Sequence, residues 1–263
     1  MGAIIGLPPS GVNDVRKDSG NGLPSAVHNP ISRSTVNFVR NRCNLSSVNQ
    51  IPYRKPQLGR DYWIKDTMLP NALEVVERCL GHEQWVLGHP WTNQTWPGMR
   101  YPNVLGPEEL LLIENWVRKQ TGVSRLWQET SPDSGSLDHN SAQLVGEADA
   151  RPRVHADSKD CRYAGVLYLN PGAPETGGTT FYRLRHPDGS LGGNVCPPQH
   201  ASLREALGVA GLPRSAWKED VTIPNIFNRL VVYRGDLVHA ATSYFGVEKK
   251  SKRLTVVFFW RAV

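Results

Sequence analysis

Short apolar segments separated by turn residues fill the second half of this chain, and they limit the folds it can adopt. The segments at 163–170, 179–184, 230–234 and 254–260 are rich in Val, Leu, Phe and Tyr, which are residues that strands favour. Turn signals such as Asn-Pro-Gly and Gly-Gly lie between them. With 24 Gly and 20 Pro among 263 residues, the pattern indicates short strands joined by turns rather than a coiled coil or collagen.

Two amphipathic segments ahead of these strands predict helices. The segment 70–80 starts with Pro70, which suits a first helical position, and Gly81 can supply a left-handed cap. Its apolar stripe is Leu73, Val76 and Leu80. The segment 107–121 has two Glu near its positive N-terminal end and stops at Gly122. Its apolar face is Leu110, Ile113, Trp116 and Val117.

The order of these elements predicts an α+β layout in which helices buttress a twisted sheet or barrel. We expect a single domain over residues 61–263, with its barrel core at about 150–260. The Gly- and Pro-rich stretch 185–228 interrupts the strands and predicts an insertion with a short helix around 202–207. Since long loops are often functional, the insertion is a candidate lid.

Positive charge is concentrated near the start of the chain. Residues 1–60 carry eight Lys or Arg against two Asp, which accounts for the whole net charge of +6. These residues show no sustained apolar period, so they predict a basic, extended or partly disordered arm. Because aromatic residues do not interleave the charges, a solvated arm is favoured over a nucleic-acid-binding surface.

The chain carries no sequence sign of export or of a membrane. Its longest strongly apolar runs, 110–113 and 256–260, are far too short to span a bilayer, and no secretory leader pattern opens it. The four cysteines are irregularly spaced without a Cys-x-x-Cys pair, so neither a zinc knuckle nor a disulfide framework is expected. We therefore predict a cytoplasmic protein with no nucleic-acid and no membrane partner.

His155 and Asp157 are the main candidates for chemistry. Residues two apart in a strand point to the same face, so this imidazole and this carboxylate would project together into the barrel. A second imidazole from a neighbouring strand would complete a facial triad with open positions, which is typical of non-haem Fe(II) oxygenases. The same spacing recurs at His186 and Asp188, but a Pro-Asp-Gly turn places that pair at the surface.

Residues further along the chain strengthen the first motif. His239 lies downstream, where the turn at 234–236 leads into an apolar segment. Arg253 opens the last strand, where a buried guanidinium is costly unless it meets a carboxylate. Thr255 shares the strand face of Arg253 and can offer a hydroxyl to the same anion.

Together, the His-x-Asp…His triad, the Gly-Gly-Thr-Thr-Phe opening of a strand at 177–181 and the trailing Arg253 with its hydroxyl neighbour resemble the Fe(II)/2-oxoglutarate-dependent dioxygenases. The resemblance covers roughly residues 150–260. It implies a double-stranded β-helix (jelly-roll, cupin-like) core behind the N-terminal helices. It also implies an enzyme that uses Fe(II), 2-oxoglutarate and O2 and that releases succinate and CO2.

The same resemblance implies roles for individual residues. His155, Asp157 and His239 would be the metal ligands, and Arg253 with Thr255 would hold the distal carboxylate of 2-oxoglutarate. No catalytic residue is implied beyond the metal ligands. Because halogenating relatives lack the carboxylate that Asp157 supplies, hydroxylation is expected rather than chlorination.

The substrate class follows from an earlier segment. Trp-Pro-Gly-Met-Arg-Tyr at 96–101 is similar to an element in a branch of this family that acts on free amino acids and includes lysine hydroxylases and their halogenase relatives. Arg100 would then bind the substrate carboxylate, and Trp260 and His139 are further candidates to line the cavity. A structural turn with a solvent-facing Arg100 is the alternative. The expected substrate is a free amino acid or similar small molecule, in specialised metabolism.

Other functions stay open from the sequence. A peptidyl (prolyl-type) hydroxylase shares the triad, although it often uses Lys for the cosubstrate and needs an open peptide groove. An amino-acid desaturase or cyclase would use the same iron centre. A non-catalytic cupin-like binding protein is the alternative from a different class.

Overall fold

The computed structural model describes residues 48–87, 97–128, 139–157 and 159–263. The helices are α1 Ala72–Gly81, α2 Pro107–Thr121 and α3 Leu203–Leu207. The strands are β1 Tyr62–Lys65, β2 Val86–Leu87, β3 Met99–Pro102, β4 Leu126–Trp127, β5 Ser141–Val145, β6 Tyr163–Tyr168, β7 Thr179–Leu184, β8 Trp217–Ile223, β9 Leu230–Arg234, β10 His239–Ala241 and β11 Arg253–Ala262.

Two antiparallel sheets build the core. The larger has the order β1-β9-β6-β11-β5-β3-β2, with β4 paired to the end of β11, and the smaller has the order β10-β7-β8. A bridge between His155 and His239 adds the segment around residue 155 to the edge of the smaller sheet. From β5 onward the chain passes repeatedly between the sheets, so that strands distant in sequence pair. This is the predicted double-stranded β-helix.

The last strand, β11, shows how the sheet separates two environments. Its residues alternate between the two faces, as in any strand. Leu254, Val256, Phe258 and Trp260 are buried with residues of α1 and α2. Phe259, on the opposite face, packs with Phe181 of the smaller sheet. The space between the sheets is therefore lined by the odd-numbered residues of β11, which include Arg253 and Thr255.

The helix α2 has the predicted bounds. Its first turn is closed by Glu109, whose Oε2 accepts a hydrogen bond of 2.7 Å from Gly106 N. Its last turn ends at Gly122, which has the left-handed φ of 75°. Ile113 and Val117 are fully buried against the large sheet, as the predicted apolar face requires.

The helix α1 differs from the prediction at both ends and in its buried face. The chain leaves it at His82, with φ −69° and ψ 131°, so Gly81 is not a left-handed cap. Leu73, predicted to be buried, is 59% exposed. The face that meets the sheet is instead set by the i, i+3, i+4, i+7 series Ala72, Val75, Val76 and Cys79, all buried.

Parts of the fold lie in stretches that the sequence did not assign to strands. The strand β8 belongs to the smaller sheet and lies within the stretch 185–228, together with α3. Residues 48–60, placed in the arm by sequence, contain no helix or strand, but Val48 and Ile51 are buried in a cluster with residues of α3 and β7. Residues 1–47 of the expected arm lie outside the described residues.

The described helices are short, the longest being the 15-residue α2. Not one of them has the length and apolar character needed to cross a bilayer. Within the described ranges Cys79, Cys161 and Cys196 are free thiols, and burial raises the pKa of Cys79 to about 12.

Candidate metal centre

His239 meets the sequence neighbours His155 and Asp157 at the edge of the smaller sheet, although it lies more than 80 residues further along the chain. His239 opens β10 and exchanges two backbone hydrogen bonds with His155, of 2.9 and 2.7 Å. Nε2 of each histidine lies 3.8 Å from Oδ1 of Asp157, and one donor atom from each residue falls within 4.8 Å of the others. The structure thus brings together the three residues predicted to be ligands.

Backbone carbonyls hold both imidazoles in the same protonation pattern. Nδ1 of His155 donates to Arg153 O at 2.9 Å, and Nδ1 of His239 donates to Leu237 O at 2.8 Å. A carbonyl oxygen can only accept, so in each neutral ring the proton sits on Nδ1 and the lone pair on Nε2. Anchoring of the second ring nitrogen is a general feature of metal-binding histidines.

Burial shapes the charge state of this cluster. It lowers the pKa of His239 to about 4 and raises that of Asp157 to about 7. The pKa of His155 is also lowered, by burial first and by the nearby His239 second, and its side chain is the more exposed of the two imidazoles at 46%. Neutral imidazoles with free Nε2 atoms are the forms that bind a metal ion.

The cluster fits a metal ion by its donors and by an unsatisfied oxygen. Oδ2 of Asp157 is buried and has no hydrogen-bond partner among the described residues, and leaving a buried carboxylate oxygen unpaired is costly. Neighbouring ligands about 2.1 Å from one ion lie about 3 Å apart, so the three donors need only small inward movements. One carboxylate and two imidazoles leave further coordination positions open.

Arg253 lies on the inner face of the larger sheet and is only 3% exposed. Its Nε donates to Gly177 O at 2.7 Å, and Nη2 and Nη1 reach Gly178 O and Thr255 Oγ1 at 3.4 and 3.5 Å. The guanidinium carbon is 5.5 Å from the ring centre of Tyr168. None of the carboxylates in the described ranges lies within ion-pair distance of it, so this buried cation is held only by neutral groups there.

A row of polar side chains crosses the inner face beside Arg253. The strand registers place Arg100 opposite Gln143, Gln143 opposite Thr255, and Thr255 opposite Tyr168. Residues directly opposite one another share a face, so all four point into the space between the sheets. Arg100, Thr255 and Tyr168 are fully buried and Gln143 is 7% exposed. The alternative of a solvent-facing Arg100 was therefore wrong.

The turn before Arg100 is fixed by two contacts. Gly98 has φ 74°, and a Cβ at this position would lie 2.2 Å from Leu144 O, so only glycine fits. Nε2 of Gln143 donates to Pro97 O at 3.1 Å. These contacts hold β3 against β5 and so set the position of Arg100; Trp96 of the same motif lies outside the described residues.

Trp260 and His139 do not line the space between the sheets, which corrects the prediction for both. Trp260 is fully buried in the cluster that contains α1 and α2, stacked on Phe258 at 5.1 Å. The indole has room there because it lies over Gly165, where a Cβ would come within 2.9 Å of the ring. His139 contacts the same two rings at 5.6 and 5.4 Å. Even-numbered residues of β11 face the helices, and residue 260 is one of them.

The second His-x-Asp pair lies in a surface turn, as predicted. Asp188 is exposed and its Oδ1 accepts hydrogen bonds from the backbone and hydroxyl of Ser190. Gly189 has φ 83°, and His186 N donates to Ser190 O to close the turn. The pair has no role in the cluster around His155.

Sequence reasoning missed several residues at the site. The ring of Tyr233 lies tilted against that of His239 with ring centres 4.6 Å apart, and the hydroxyl of Tyr168 donates to Thr179 Oγ1 at 2.7 Å. Tyr244 is half-buried; burial raises its pKa, while Arg253 and Arg100 act in the opposite direction. The alternation of strand residues signals that Tyr233 and Tyr168 could face inward, but their neighbours depend on strand register.

A comparison with protein families gives this chain a family but no activity. A family model described as "Family of unknown function (DUF6445)" matches residues 57–260. No curated protein matches the chain.

Several solved structures are similar to the chain at low identity. The epimerase SnoN from nogalamycin biosynthesis, described as non-heme and alpha ketoglutarate dependent, has 17% identity and a TM-score of 0.44 over 77% of each chain. A prolyl hydroxylase from Trichoplax adhaerens in complex with a peptide has 11% identity and a TM-score of 0.45, over 77% of this chain and 84% of its own. HygX from Streptomyces hygroscopicus, with nickel, 2-oxoglutarate and hygromycin B bound, has 13% identity and a TM-score of 0.45, over 77% of this chain and 83% of its own. These identities and TM-scores are too low to carry an activity from one protein to another.

Proposed function

The chain belongs to the DUF6445 family of unknown function, and we propose that it is a non-haem Fe(II)/2-oxoglutarate-dependent oxygenase that hydroxylates a free amino acid or similar small molecule. The observation that carries the proposal is the convergence of two carbonyl-anchored imidazoles and one buried carboxylate on a single point. The buried Arg253 on the facing sheet adds an anion-binding group. An open facial triad and a buried guanidinium in one space suit a metal together with a dicarboxylate.

The metal ligands in this proposal are His155, Asp157 and His239. Their Nε2 and Oδ1 atoms already face one another at 3.8 Å, and the Nδ1 hydrogen bonds keep the rings from turning. Fe(II) in such a site, with its open positions, supplies the activation of O2 that is coupled to conversion of 2-oxoglutarate to succinate and CO2. The chain itself supplies the orientation of the ligands, two of which, Asp157 and His239, are buried.

Arg253 and Thr255 are proposed to bind the distal carboxylate of 2-oxoglutarate. The guanidinium is held by Gly177 O and Gly178 O, which fix its plane without neutralising its charge. A charge-assisted bond from an arginine to a carboxylate is stronger than a bond to a neutral carbonyl. A dicarboxylate therefore gives the buried cation the counter-charge that the described residues around it do not provide.

Arg100 is proposed to bind the substrate carboxylate. Arg100 is fully buried and lies two strands from Thr255 in the same row. The guanidinium of Arg100 on β3 is therefore separate from that of Arg253, which lies on the same strand as Thr255. Neighbouring strands are about 4.8 Å apart, which leaves about 10 Å between Arg100 and the Thr255 position. Two separate cationic groups on one face suit a cosubstrate and a substrate that each carry a carboxylate.

The proposal is tested by turnover with a defined substrate panel. The protein is incubated without air with Fe(II), 2-oxoglutarate and each of the twenty amino acids in turn, air is admitted, and succinate is measured. We expect one amino acid, or a small set, to raise succinate release and to gain one oxygen atom by mass. Loss of two hydrogens instead would identify the desaturase or cyclase.

Matched variants separate the site from the rest of the chain. Asp157→Asn should abolish succinate release, whereas Asp188→Asn, in the second His-x-Asp pair, should leave it unchanged. Arg100→Met should raise the KM for the amino acid with little effect on metal binding, whereas Arg125→Met on the surface should not. Activity on peptides alone would favour a peptidyl hydroxylase, and absence of succinate with every substrate would favour a binding protein.

A further inference from the structure

The turn between β9 and β10, residues 234–237, holds two of the three proposed metal ligands. Asp157 N donates to Gly235 O at 3.0 Å, and Nδ1 of His239 donates to Leu237 O at 2.8 Å. The turn itself is closed by Leu237 N donating to Arg234 O at 3.1 Å. A shift of this turn therefore moves a carboxylate ligand and an imidazole ligand together.

The carboxylate of Asp236 fixes this turn from the outside. Nη2 of Arg54 contacts both carboxylate oxygens at 3.0 and 3.1 Å, and Arg234 contacts them through Nε and Nη2 at 3.2 and 2.9 Å. Burial acts to raise the pKa of Asp236, but the contacts with Arg234 and Arg54 outweigh it and hold the pKa below its usual range. The carboxylate is charged and held between two guanidinium groups.

Arg54 is in turn anchored to parts of the fold that do not belong to the turn. Its Nε lies 3.0 Å from Oδ1 of Asp61, a carboxylate that is 1% exposed. Its backbone forms a reciprocal pair with the side chain of the fully buried Asn194, Arg54 N to Oδ1 and Nδ2 to Arg54 O, both 2.8 Å. Asn194 O accepts from Val238 N at 2.8 Å, directly before the ligand His239.

We propose that Arg54 is a positioning residue for the metal centre, which acts through Asp236 and the turn 234–237 on Asp157 and His239. This inference rests on the proposed function, because it presumes that those residues bind a metal. Arg54 does not touch the three ligands. It transmits position from the segment 48–61, which the sequence places ahead of the core, to the edge of the smaller sheet.

Arginine suits this position for a geometric reason. Nη2 donates to both oxygens of Asp236, and Nε lies 3.0 Å from Oδ1 of Asp61 as an ion pair without a hydrogen bond, so one planar guanidinium spans two carboxylates on different segments. A lysine has a single ammonium group at the end of a flexible stem and cannot fix both carboxylates in one plane. Arg54→Lys therefore retains the charge but loses the bridge, which separates electrostatics from positioning.

The test measures metal affinity and ligand geometry directly. Wild-type protein, Arg54→Ala and Arg54→Lys are titrated with Co(II) under anaerobic conditions, and the visible spectrum of the bound Co(II) is recorded at saturation. Residues that orient metal ligands typically change affinity by about 10- to 100-fold when replaced. We expect Arg54→Ala to weaken Co(II) binding at least about tenfold and to change the spectrum, with Arg54→Lys intermediate.

A matched control removes a similar ion pair elsewhere. Arg78 contacts both oxygens of Glu109 at 2.9 and 3.0 Å and joins α1 to α2 on the other side of the larger sheet. Arg78→Ala should lower thermal stability without moving the Co(II) affinity or spectrum. If Arg54→Ala does not fold, Arg54→Lys and Asp236→Asn carry the same comparison.

The outcomes separate this inference from the proposed function. Unchanged Co(II) affinity and spectrum in Arg54→Ala, with weakened binding in Asp157→Asn, would overturn the role of Arg54 and leave the metal centre intact. Equal effects of Arg54→Ala and Arg78→Ala on the spectrum would also overturn it, since both would then act through general stability. Failure of wild-type protein to bind Co(II), or full binding by Asp157→Asn, would instead overturn the proposed function.

Discussion

Replacing Arg253 by methionine gives a quantitative test of cosubstrate binding. Methionine keeps an unbranched apolar side chain of similar reach but removes the charge and every donor. The structure shows a guanidinium that is 3% exposed and bound only to two glycine carbonyls and one hydroxyl among the described residues. The charge of this guanidinium is therefore free to form an ion pair with a dicarboxylate.

The expected size follows from these contacts. A hydrogen bond that involves a charged group contributes about 1.5–3 kcal/mol, and about 1.4 kcal/mol corresponds to a tenfold change in affinity. Loss of the paired contact from Arg253 to the distal carboxylate should therefore weaken 2-oxoglutarate binding about 100-fold. The variant should lose only about 1 kcal/mol of folding stability, because Gly177 O and Gly178 O lose the Arg253 donor but still accept from Asn225 Nδ2 and Thr242 N.

The assay compares two cosubstrates on the metal-loaded protein without air. Calorimetric titration with 2-oxoglutarate and with 2-oxobutyrate, which lacks the distal carboxylate, gives the preference for that carboxylate as a ratio of affinities. Wild-type protein should prefer 2-oxoglutarate by about 100-fold, and Arg253→Met should lose the preference while it still binds the metal. Lys252→Met, which breaks only the neighbouring ion pair with Asp149, is the matched control.

Two results would refute the reasoning about Arg253. One is an unchanged preference for 2-oxoglutarate in Arg253→Met, which would place the distal carboxylate elsewhere. The other is an equal loss of affinity for both cosubstrates, which would mean that Arg253 supports the fold of the site rather than binding the carboxylate.

Three further predictions concern the large sheet. Burial lowers the pKa of His139 from 6.5 to about 4, so protonation of this residue disfavours the folded state, and the free energy of unfolding should fall by up to about 3 kcal/mol as the pH drops from 6.5 to 4. Urea unfolding at each pH should show that His139→Phe lacks this part of the loss. The same pH dependence of stability in the variant and the wild type would contradict the prediction. Gly98→Ala should cost at least about 2 kcal/mol and raise the KM for the amino acid, because a positive φ and the contact with Leu144 O force β3 away; wild-type melting and kinetics would count against the placement of Arg100. Trp260→Phe should lower the free energy of unfolding, measured by chemical denaturation, by about 2 kcal/mol and leave the KM for the amino acid and for 2-oxoglutarate unchanged. A raised KM would indicate that Trp260 lines the cavity after all.

Local signals in the sequence were enough for the elements whose ends carry them. The helix α2 has a proline, two glutamates and a closing glycine, and its bounds are as predicted. The helix α1 lacks a comparable stop, since Gly81 needs no positive φ, and its buried face depends on how it meets the sheet. The strands at β6, β7, β9 and β11 were recognised because they are rich in Val, Leu, Phe and Tyr.

Strands that carry polar residues were missed for a physical reason. The strand β8 exposes Lys218 and Glu219 at the side of the smaller sheet, which removes the apolar alternation. The strands β3 and β5 place Arg100 and Gln143 in the interior, so their buried faces read as polar in the sequence. Buried polar residues thus hide these strands from any method that searches for apolar alternation.

The three proposed metal ligands were predictable from the sequence, but their arrangement was not. His155 and Asp157 are two residues apart, so their common direction follows from strand geometry alone. The meeting with His239, and the row from Arg100 to Tyr168, depend on which strands pair and in what register. A shift of register by one residue would turn Arg253 and Thr255 to the helix side and bring Trp260 inward.

The most direct test of the metal centre is a crystal structure of the protein loaded with Fe(II) without air, with diffraction data collected at the iron absorption edge. The account predicts one anomalous peak per chain, about 2.1 Å from Nε2 of His155, Nε2 of His239 and a carboxylate oxygen of Asp157. A peak at any other place, or an iron-loaded crystal with no peak between these three side chains, would contradict it.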